Sequence, residues 1–391
     1  NCDNGTYDAW YWPHPPIYMP KNCNLDDVAE LRRHIDVPVV CAGRMEPADA
    51  AAAIAEKRID AAGFARPFLA DPAWVSKLKA GREADIRPCI LCHNGCFNMC
   101  HYKGVANDQD LMDSLHLARC AVNAETMQAS RHYIKTIHIV GGGIGGMECA
   151  RVLALRGHRP VIHERGERLG GVFVAAARAS YKDKMRDLLA WYERQMVQLN
   201  VDVRLGDEVR DITELDGPVV VATGSTPRTL PVPGIELARE ACDYLENPPA
   251  AQRVVVVGGG LTGCEVAYDA ALEGRDVEIV EMADDLVAQK GVCLANSSYL
   301  REWFAWKQVP VHPETTLVGI ARTGDAGLRV SCRHADGTTF DIEADAVVTA
   351  TGYTPAPLAR SGRGVRLVGD CNGVGNLRSV IWRAYDVAMT L

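Results

Sequence analysis

Residues 137–164 read IHIVGGGIGGMECARVLALRGHRPVIHE, and residues 254–281 read VVVVGGGLTGCEVAYDAALEGRDVEIVE. The two stretches align without a gap at an offset of 117 residues, pairing Gly141 with Gly258, Gly143 with Gly260, Gly146 with Gly263, Glu148 with Glu265 and Glu164 with Glu281. A lone G-x-G-x-x-G says little. Here each copy follows a β-branched strand, opens a helix, and leads to a second strand that ends in Glu, which is a complete βαβ dinucleotide-binding unit. The glycines let backbone approach a pyrophosphate, the helix N-terminus attracts its charge, and the acid accepts from a ribose hydroxyl. Glu281, with no arginine in its place for a 2′-phosphate, points to NAD over NADP. Arg275, just before that strand, weakens the point slightly.

Working outward, PVVVATGSTPR (218–228) and DAVVTATGYTP (345–355) each run from a β-branched strand into Ala-Thr-Gly. Gly224 and Gly352 permit a tight exit from a sheet, where a cofactor edge lies. VRLVGDC (365–371) is a further short strand ending in Gly369-Asp370. Asp370 either accepts from the ribityl chain of a flavin or caps a following helix.

Upstream of the repeat, RPCILCHNGCFNMC (87–100) and ARCAVN (118–123) supply Cys89, Cys92, Cys96 and Cys120. Thiolates at such spacing suit soft or borderline metals. A structural zinc site usually pairs two C-x2-C knuckles, and only one is present. The C-x2-C-x3-C run with a distant fourth thiol favours a [4Fe–4S] cluster. Cys100 stands in the same loop as an alternative to Cys96.

The first 80 residues contain a strand ending in Gly-Arg (VPVVCAGR, 37–44), a helix from Pro47, and a second strand (IDAAGFARP, 59–67). That is strand–helix–strand at barrel spacing, and a (β/α)8 barrel needs about 250 residues. These residues are therefore expected to be the closing strands of a barrel whose earlier strands are absent from this chain. Among 391 residues, 48% are hydrophobic and 24% charged, with a net charge of −8. The acidic balance and lack of Lys/Arg-rich runs argue against nucleic acid. No long apolar run or signal peptide is present, so a cytoplasmic protein without a membrane span is expected.

Taken together, AGR, ARPFLADP (65–72), RPCILC with its C-x3-C step, CAVN and the two fingerprints resemble the iron–sulfur flavoprotein family of trimethylamine dehydrogenase, histamine dehydrogenase and 2,4-dienoyl-CoA reductase. The resemblance covers nearly the whole chain. It implies an α/β protein built from the C-terminal part of a TIM barrel, a [4Fe–4S] segment and two Rossmann-like nucleotide-binding domains. It implies further that Gly43, Arg44, Ala65 and Arg66 hold an FMN phosphate, and that the first fingerprint with Glu164 binds FAD or ADP alone. The second fingerprint would bind NAD(H). The expected divisions are 1–85 for the incomplete barrel, 86–130 for the cluster segment, 131–250 with 345–391 for the FAD/ADP domain, and 251–344 for an inserted NAD domain.

Two features depart from the family. The loop between Cys96 and Cys120 is long. The segment GTYDAWYWPHPPIYMP (5–20) is crowded with aromatics where the dienoyl reductases carry a GWHEAR-like sequence. Aromatic faces attract methylated ammonium groups by about 0.5–2 kcal/mol each, so Trp10 and Trp12 are candidate pocket walls, with His14 a candidate proton-transfer group. The same rings would equally serve as rim packing. The favoured expectation is an N-methylated amine dehydrogenase that passes electrons through FMN to the cluster. The alternatives are an NAD(P)H-dependent ene reductase and an electron-transfer module without its own substrate. A small-molecule substrate, an electron-transfer protein acceptor and a homo-oligomer complete the expected partners.

Overall fold

The computed structural model describes residues 9, 11–100, 119–126, 135–324 and 327–391, and only the backbone of residues 99 and 100. Each fingerprint builds the centre of its own five-stranded parallel sheet. In the first, Thr136–Val140 lies between Val219–Val221 and Arg159–Glu164, with Val365–Leu367 and Asp202–Leu205 at the edges. In the second, Arg253–Val257 lies between Asp276–Val280 and Ala346–Thr349, with Val311–His312 and Arg239–Glu240 outside. The central strands are largely apolar because both faces of each sheet are covered, one of them by the fingerprint helix. A three-stranded antiparallel sheet, Thr315–Thr323, Gly327–His334 and Thr339–Ala344, packs beside the second one.

The boundaries expected at 250 and 345 both need correction. Ala346–Thr349 pairs with Arg253–Val257, not with the first sheet. Arg239–Glu240 joins the same sheet, and the helix Ala241–Glu246 follows it. The second nucleotide unit therefore reaches from about residue 239 to the short antiparallel pair Ser225–Pro227 with Tyr353–Pro355, where the chain crosses back. The first unit regains the chain only after that crossing.

Of the barrel-like segment, Val40–Cys41 and Ala61–Ala62 pair in parallel, joined by the helix Pro47–Ala55. They enclose a small core of Leu25, Val28, Val39, Cys41 and Ile59. The described residues of the cysteine loop form no core of their own. Ile90, Cys120 and Val122 pack into the core of the first nucleotide unit, whereas Leu91, with Ile17 and Tyr18, packs into that of the second. The loop is thus clamped between two preformed units. Among the described residues, no helix is long and apolar enough to cross a membrane.

Candidate functional site

Cys89, Cys92, Cys96 and Cys120 line one small pocket of about 20 Å³, with Ile90, Val122 and Arg66 among its other walls. Three polar residues from the quoted motifs set this geometry. Asp71 of ARPFLADP accepts from the Arg87 amide at 2.9 Å and from Lys77 Nζ at 2.6 Å. Arg87 Nη1 donates to Asn123 Oδ1 at 2.7 Å, and Asn123 Nδ2 returns to the Leu69 carbonyl at 3.0 Å. The limbs carrying Cys89 and Cys120 are thereby tied to one another and to the barrel segment. Gly95 completes the turn: a Cβ there would lie 2.2 Å from the Arg119 carbonyl oxygen, so only glycine lets the Cys120 limb pass. Gly95 was legible in HNGC but its steric need was not.

The donor set fits a cluster. Among the described residues, no three His, Cys, Asp or Glu side chains stand close enough to share a single ion. Four thiols distributed around an apolar cavity suit a cluster whose irons each take one thiolate. Burial pushes the Cys92 thiol well up, helped by Cys96, Cys120 and Cys89. Burial and Cys89 likewise raise Cys96 to about 11 and Cys120 to about 12. These groups are neutral thiols without metal, so metal loading must displace protons. The side chain of Cys100 lies outside the described residues.

His93, buried beside Cys92, was not anticipated. Its Nε2 accepts from Arg66 Nη1 at 2.7 Å, which places its own proton on Nδ1. Burial first, then Arg66 and His14, hold its pKa well below the usual imidazole value.

Both dinucleotide loops have the geometry their glycines require. Gly141 and Gly258 sit at φ +111° and +109°. A Cβ at either would lie 2.4 or 2.5 Å from the carbonyl oxygen of Ala222 or Ala350 in the Ala-Thr-Gly segments leading to Gly224 and Gly352. Gly143 and Gly260 are the N-caps of Ile144–Leu155 and Leu261–Leu272. Gly146 and Gly263 let helix cross strand, since a Cβ would stand 2.0 Å from the Gly141 oxygen or 1.8 Å from the Gly258 oxygen. Gly146→Ala and Gly263→Ala should each cost about 1–3 kcal/mol by overpacking. Their readouts differ: the first should be isolated with less ADP-bearing ligand, the second should lose NADH affinity, and an unchanged content and affinity would remove the glycines' steric role.

The acids close the loops. Glu164 Oε2 accepts from the Gly142 amide at 2.7 Å and Oε1 from the Gly166 amide at 2.7 Å. Glu281 does the same with Gly259 and Ala283. Each carboxylate is thus aimed at the loop and still has lone pairs for a ribose. Arg275 is committed elsewhere, to Tyr244 Oη and the Pro249 carbonyl, both at 3.0 Å, which removes the one cation that argued for a 2′-phosphate. A second glycine pair was overlooked in the sequence. Gly170, at φ +109°, donates to the Gly142 carbonyl at 2.9 Å, and a Cβ there would lie 2.7 Å from Val174 and 2.8 Å from Leu189, while Gly171 lies in ordinary contact with Gly143.

Asp370 accepts from Ser225 Oγ at 3.3 Å and from the Gly375 amide at 3.1 Å, and burial raises its pKa. The helix that follows is capped by Asn376 instead. Gly369 lies against Gly145 at the start of the first fingerprint helix.

The barrel residues are distributed differently. Gly43 adopts φ +120°, and a Cβ there would collide with the Asn24 side chain. The adjacent Arg44, at φ +50°, donates to the carbonyls of Ile17 and Met19 and lies 3.5 Å from Asp183, so its guanidinium fastens the barrel segment to the first nucleotide unit. Arg66 donates to the Pro15 carbonyl at 2.9 Å as well as to His93. Ala65 is exposed just before it.

Trp10 lies outside the described residues. Trp12 has Tyr11 as ring neighbour at 6.2 Å, and His14 stacks on Phe97 at 3.8 Å. Tyr11 donates to Glu302 at 2.7 Å, and Tyr18 is buried among Tyr181, Tyr268 and Tyr299 while donating to Glu265 at 2.8 Å. Among the described residues, Tyr11 and Tyr18 face the second nucleotide unit and His14 faces the cysteine loop.

A barrel-type segment, a cysteine-lined cavity and two dinucleotide folds in series define a multidomain flavoprotein. The chain belongs to the 2,4-dienoyl-CoA reductase and trimethylamine dehydrogenase-like family. Residues 8–85 match the NADH:flavin oxidoreductase / NADH oxidase family, 139–183 the NAD(P)-binding Rossmann-like domain, and 215–372 the pyridine nucleotide-disulphide oxidoreductases. It is 34% identical to a cinnamate reductase of Clostridium sporogenes over 100% of this chain and 59% of that one. It is 29% identical to an N,N-dimethylglycine/sarcosine dehydrogenase of Chromohalobacter salexigens over 87% of this chain and 51% of that one. The structure of a 2-naphthoyl-CoA reductase in complex with 2-naphthoyl-CoA superposes with a TM-score of 0.80 at 26% identity, covering 96% of this chain and 57% of that one. The chain thus spans little more than half the length of these relatives.

Proposed function

We propose that this chain is the electron-handling part of an oxidoreductase that carries electrons from NADH, by way of flavin and an iron–sulfur cluster, to an activated alkene. The observation that carries the reading is the second dinucleotide site. Its glycines and Glu281 reproduce the first site's geometry, and Arg275, just before the strand that ends in Glu281, is turned to Tyr244 and Pro249. A site kept in that form suits bound NADH with free ribose hydroxyls. When bound, the flavins supply hydride transfer and the cluster single-electron transfer. The chain's residues do the rest. Glu164 and Glu281 orient the two nucleotides, Asp370 is placed for a flavin ribityl chain, and the apolar wall of Ile90 and Val122 keeps water from the four cysteines. The likeness to cinnamate and naphthoyl-CoA reductases supports an unsaturated carboxylic acid or its thioester as the substrate class.

A second reading, dehydrogenation of an N-methylated amine, draws on the aromatics of segment 5–20 and the dimethylglycine dehydrogenase relative. Of its two candidate pocket walls, Trp10 lies outside the described residues and Trp12 has Tyr11 as ring neighbour, so this reading draws on fewer described groups than the second dinucleotide site offers.

Anaerobic spectroscopy of the cofactor-loaded protein separates the two. NADH should bleach the flavin, and cinnamate or its CoA thioester should restore the colour. Glu281→Arg should weaken NADH by more than about tenfold, through loss of a charge-assisted pair worth about 1.5–3 kcal/mol. Bleaching by dimethylglycine but not by NADH would overturn the proposal in favour of the amine reading.

A further inference from the structure

The C-terminal helix, Leu377–Thr390, begins where the first dinucleotide site ends. Its N-cap is Asn376, directly after the Gly375 amide that donates to Asp370. Within the first turn, Arg378 is fully buried. Its Nη1 donates to the Asn94 carbonyl at 3.0 Å, between Cys92 and Cys96 in the chain. Burial lowers its pKa to about 10, opposed by the Cys92 thiol, which places the guanidinium and that sulfur in one electrostatic neighbourhood. One turn on, Trp382, also fully buried, donates Nε1 to the Cys120 carbonyl at 2.8 Å. Its ring lies 5.4 Å from the Arg378 guanidinium and 4.5 Å from that of Arg119. A single helix of the nucleotide unit therefore holds the cysteine loop at two points, behind Cys92 and behind Cys120.

We propose that Arg378 is a positioning residue for the iron–sulfur cluster whose buried cation raises the cluster's reduction potential. The inference rests on the cluster assignment above. Four thiolates bring net negative charge into the pocket, and one added electron brings one more. A cation sharing that dry environment favours the more negative form. The same thiolates give a buried guanidinium the anionic company that its desolvation requires. Arg66 lines the pocket itself, donating to His93 and Pro15 with its charge near Cys96, and Arg378 adds a second cation behind the loop on the Cys92 side. The placement of Arg378 at the head of a helix that starts beside Asp370 means that the residue tuning the cluster is carried by the element that closes the first nucleotide site.

The test is a redox titration of the cluster-loaded protein, followed by visible and EPR spectra, with iron and sulfide counted in each sample. Arg378→Gln should hold its iron and show a lower midpoint than wild type; Arg378→Lys should stay near wild type. If Gln loses the cluster while Lys keeps it at the wild-type midpoint, the charge is required and the proposal stands. An unchanged midpoint in a fully loaded Arg378→Gln protein overturns it, as does loss of the cluster in both variants, which would make shape the decisive property. A wild-type protein that takes up no iron would instead sink the cluster assignment itself, and this inference with it.

Discussion

Cys92→Ser should leave the purified protein with little iron or acid-labile sulfide, whereas Cys100→Ser should keep the full complement, about four of each per chain for a cluster of this type. Serine supplies a hard, weakly acidic oxygen where soft iron needs a thiolate. Cys92 is also the ligand least able to be bypassed. It packs against the core of the first nucleotide unit, with Asn296 Nδ2 of the second at 3.5 Å from its carbonyl and Arg378 in its electrostatic neighbourhood. His93, the nearest other candidate ligand in the pocket, has its Nε2 taken by Arg66. The loss should remove the broad visible absorbance of the cluster and block reoxidation of NADH-reduced flavin by alkene, while leaving the initial bleaching intact. Iron retained in Cys96→Ser but lost in Cys100→Ser would move the third ligand to Cys100. Zinc in place of iron in the wild type would discard the cluster.

Glu148→Ala should be the most destabilising single change outside the cysteines, by about 3–5 kcal/mol. Glu148 is fully buried on the first fingerprint helix. Its carboxylate accepts from Arg151 Nε at 2.8 Å, Arg151 Nη2 at 3.0 Å and Tyr192 Oη at 3.2 Å. Burial works against the charge on Arg151, and Glu148 more than reverses this, raising its pKa. Arg87, also buried, lies in the same field with its guanidinium 4.5 Å from the Trp191 ring. Removing the acid leaves two buried guanidinium groups in one field without its charge; Arg87 keeps the Val122 carbonyl and Asn123, and Arg151 keeps Glu125 at 2.7 Å from its Nη2. Glu148→Gln keeps an acceptor and should lose less. In urea, the transition followed by flavin release should move to lower concentration in the order wild type, Gln, Ala. Equal midpoints for all three would mean that the remaining partners satisfy the arginines.

Glu148 also explains a repeat position that has no part in nucleotide binding. Its counterpart, Glu265, accepts from Tyr18 Oη at 2.8 Å and from Lys182 Nζ at 2.6 Å. In both copies the acid two residues beyond the third glycine points away from the loop and ties the helix to a different part of the chain. The first is tied to the cysteine segment through Arg151 and Glu125, the second to the barrel segment and the first nucleotide unit. The alignment of Glu148 with Glu265 was visible in the sequence. Their partners were not, because Arg87, Tyr192, Tyr18 and Lys182 occupy unrelated sequence positions.

The same distinction holds across the molecule. Backbone requirements are met within a few residues and so are written locally. Gly141 must turn at positive φ, Gly146 must let a helix touch a strand, and Glu164 must reach back to Gly142, all inside 28 consecutive residues. The clustered cysteines are local in the same sense for three of the four. By themselves, these patterns determined two parallel dinucleotide folds, a metal-type thiol loop and a barrel-like strand pair. Which surface covers a side chain, and which sheet accepts a strand, depend on segments far apart in sequence. AVVT at 346–349 is as apolar and β-branched as VVV at 219–221, and only packing assigns one to the second sheet and the other to the first. Tyr18 has the composition of a binding pocket, yet its hydroxyl found Glu265, because burying a ring together with a satisfied hydroxyl is more favourable than leaving either exposed. The tertiary structure likewise brought Arg378 and Trp382 to the cysteine loop, whose described residues form no core of their own and borrow their support from the helix that packs against them.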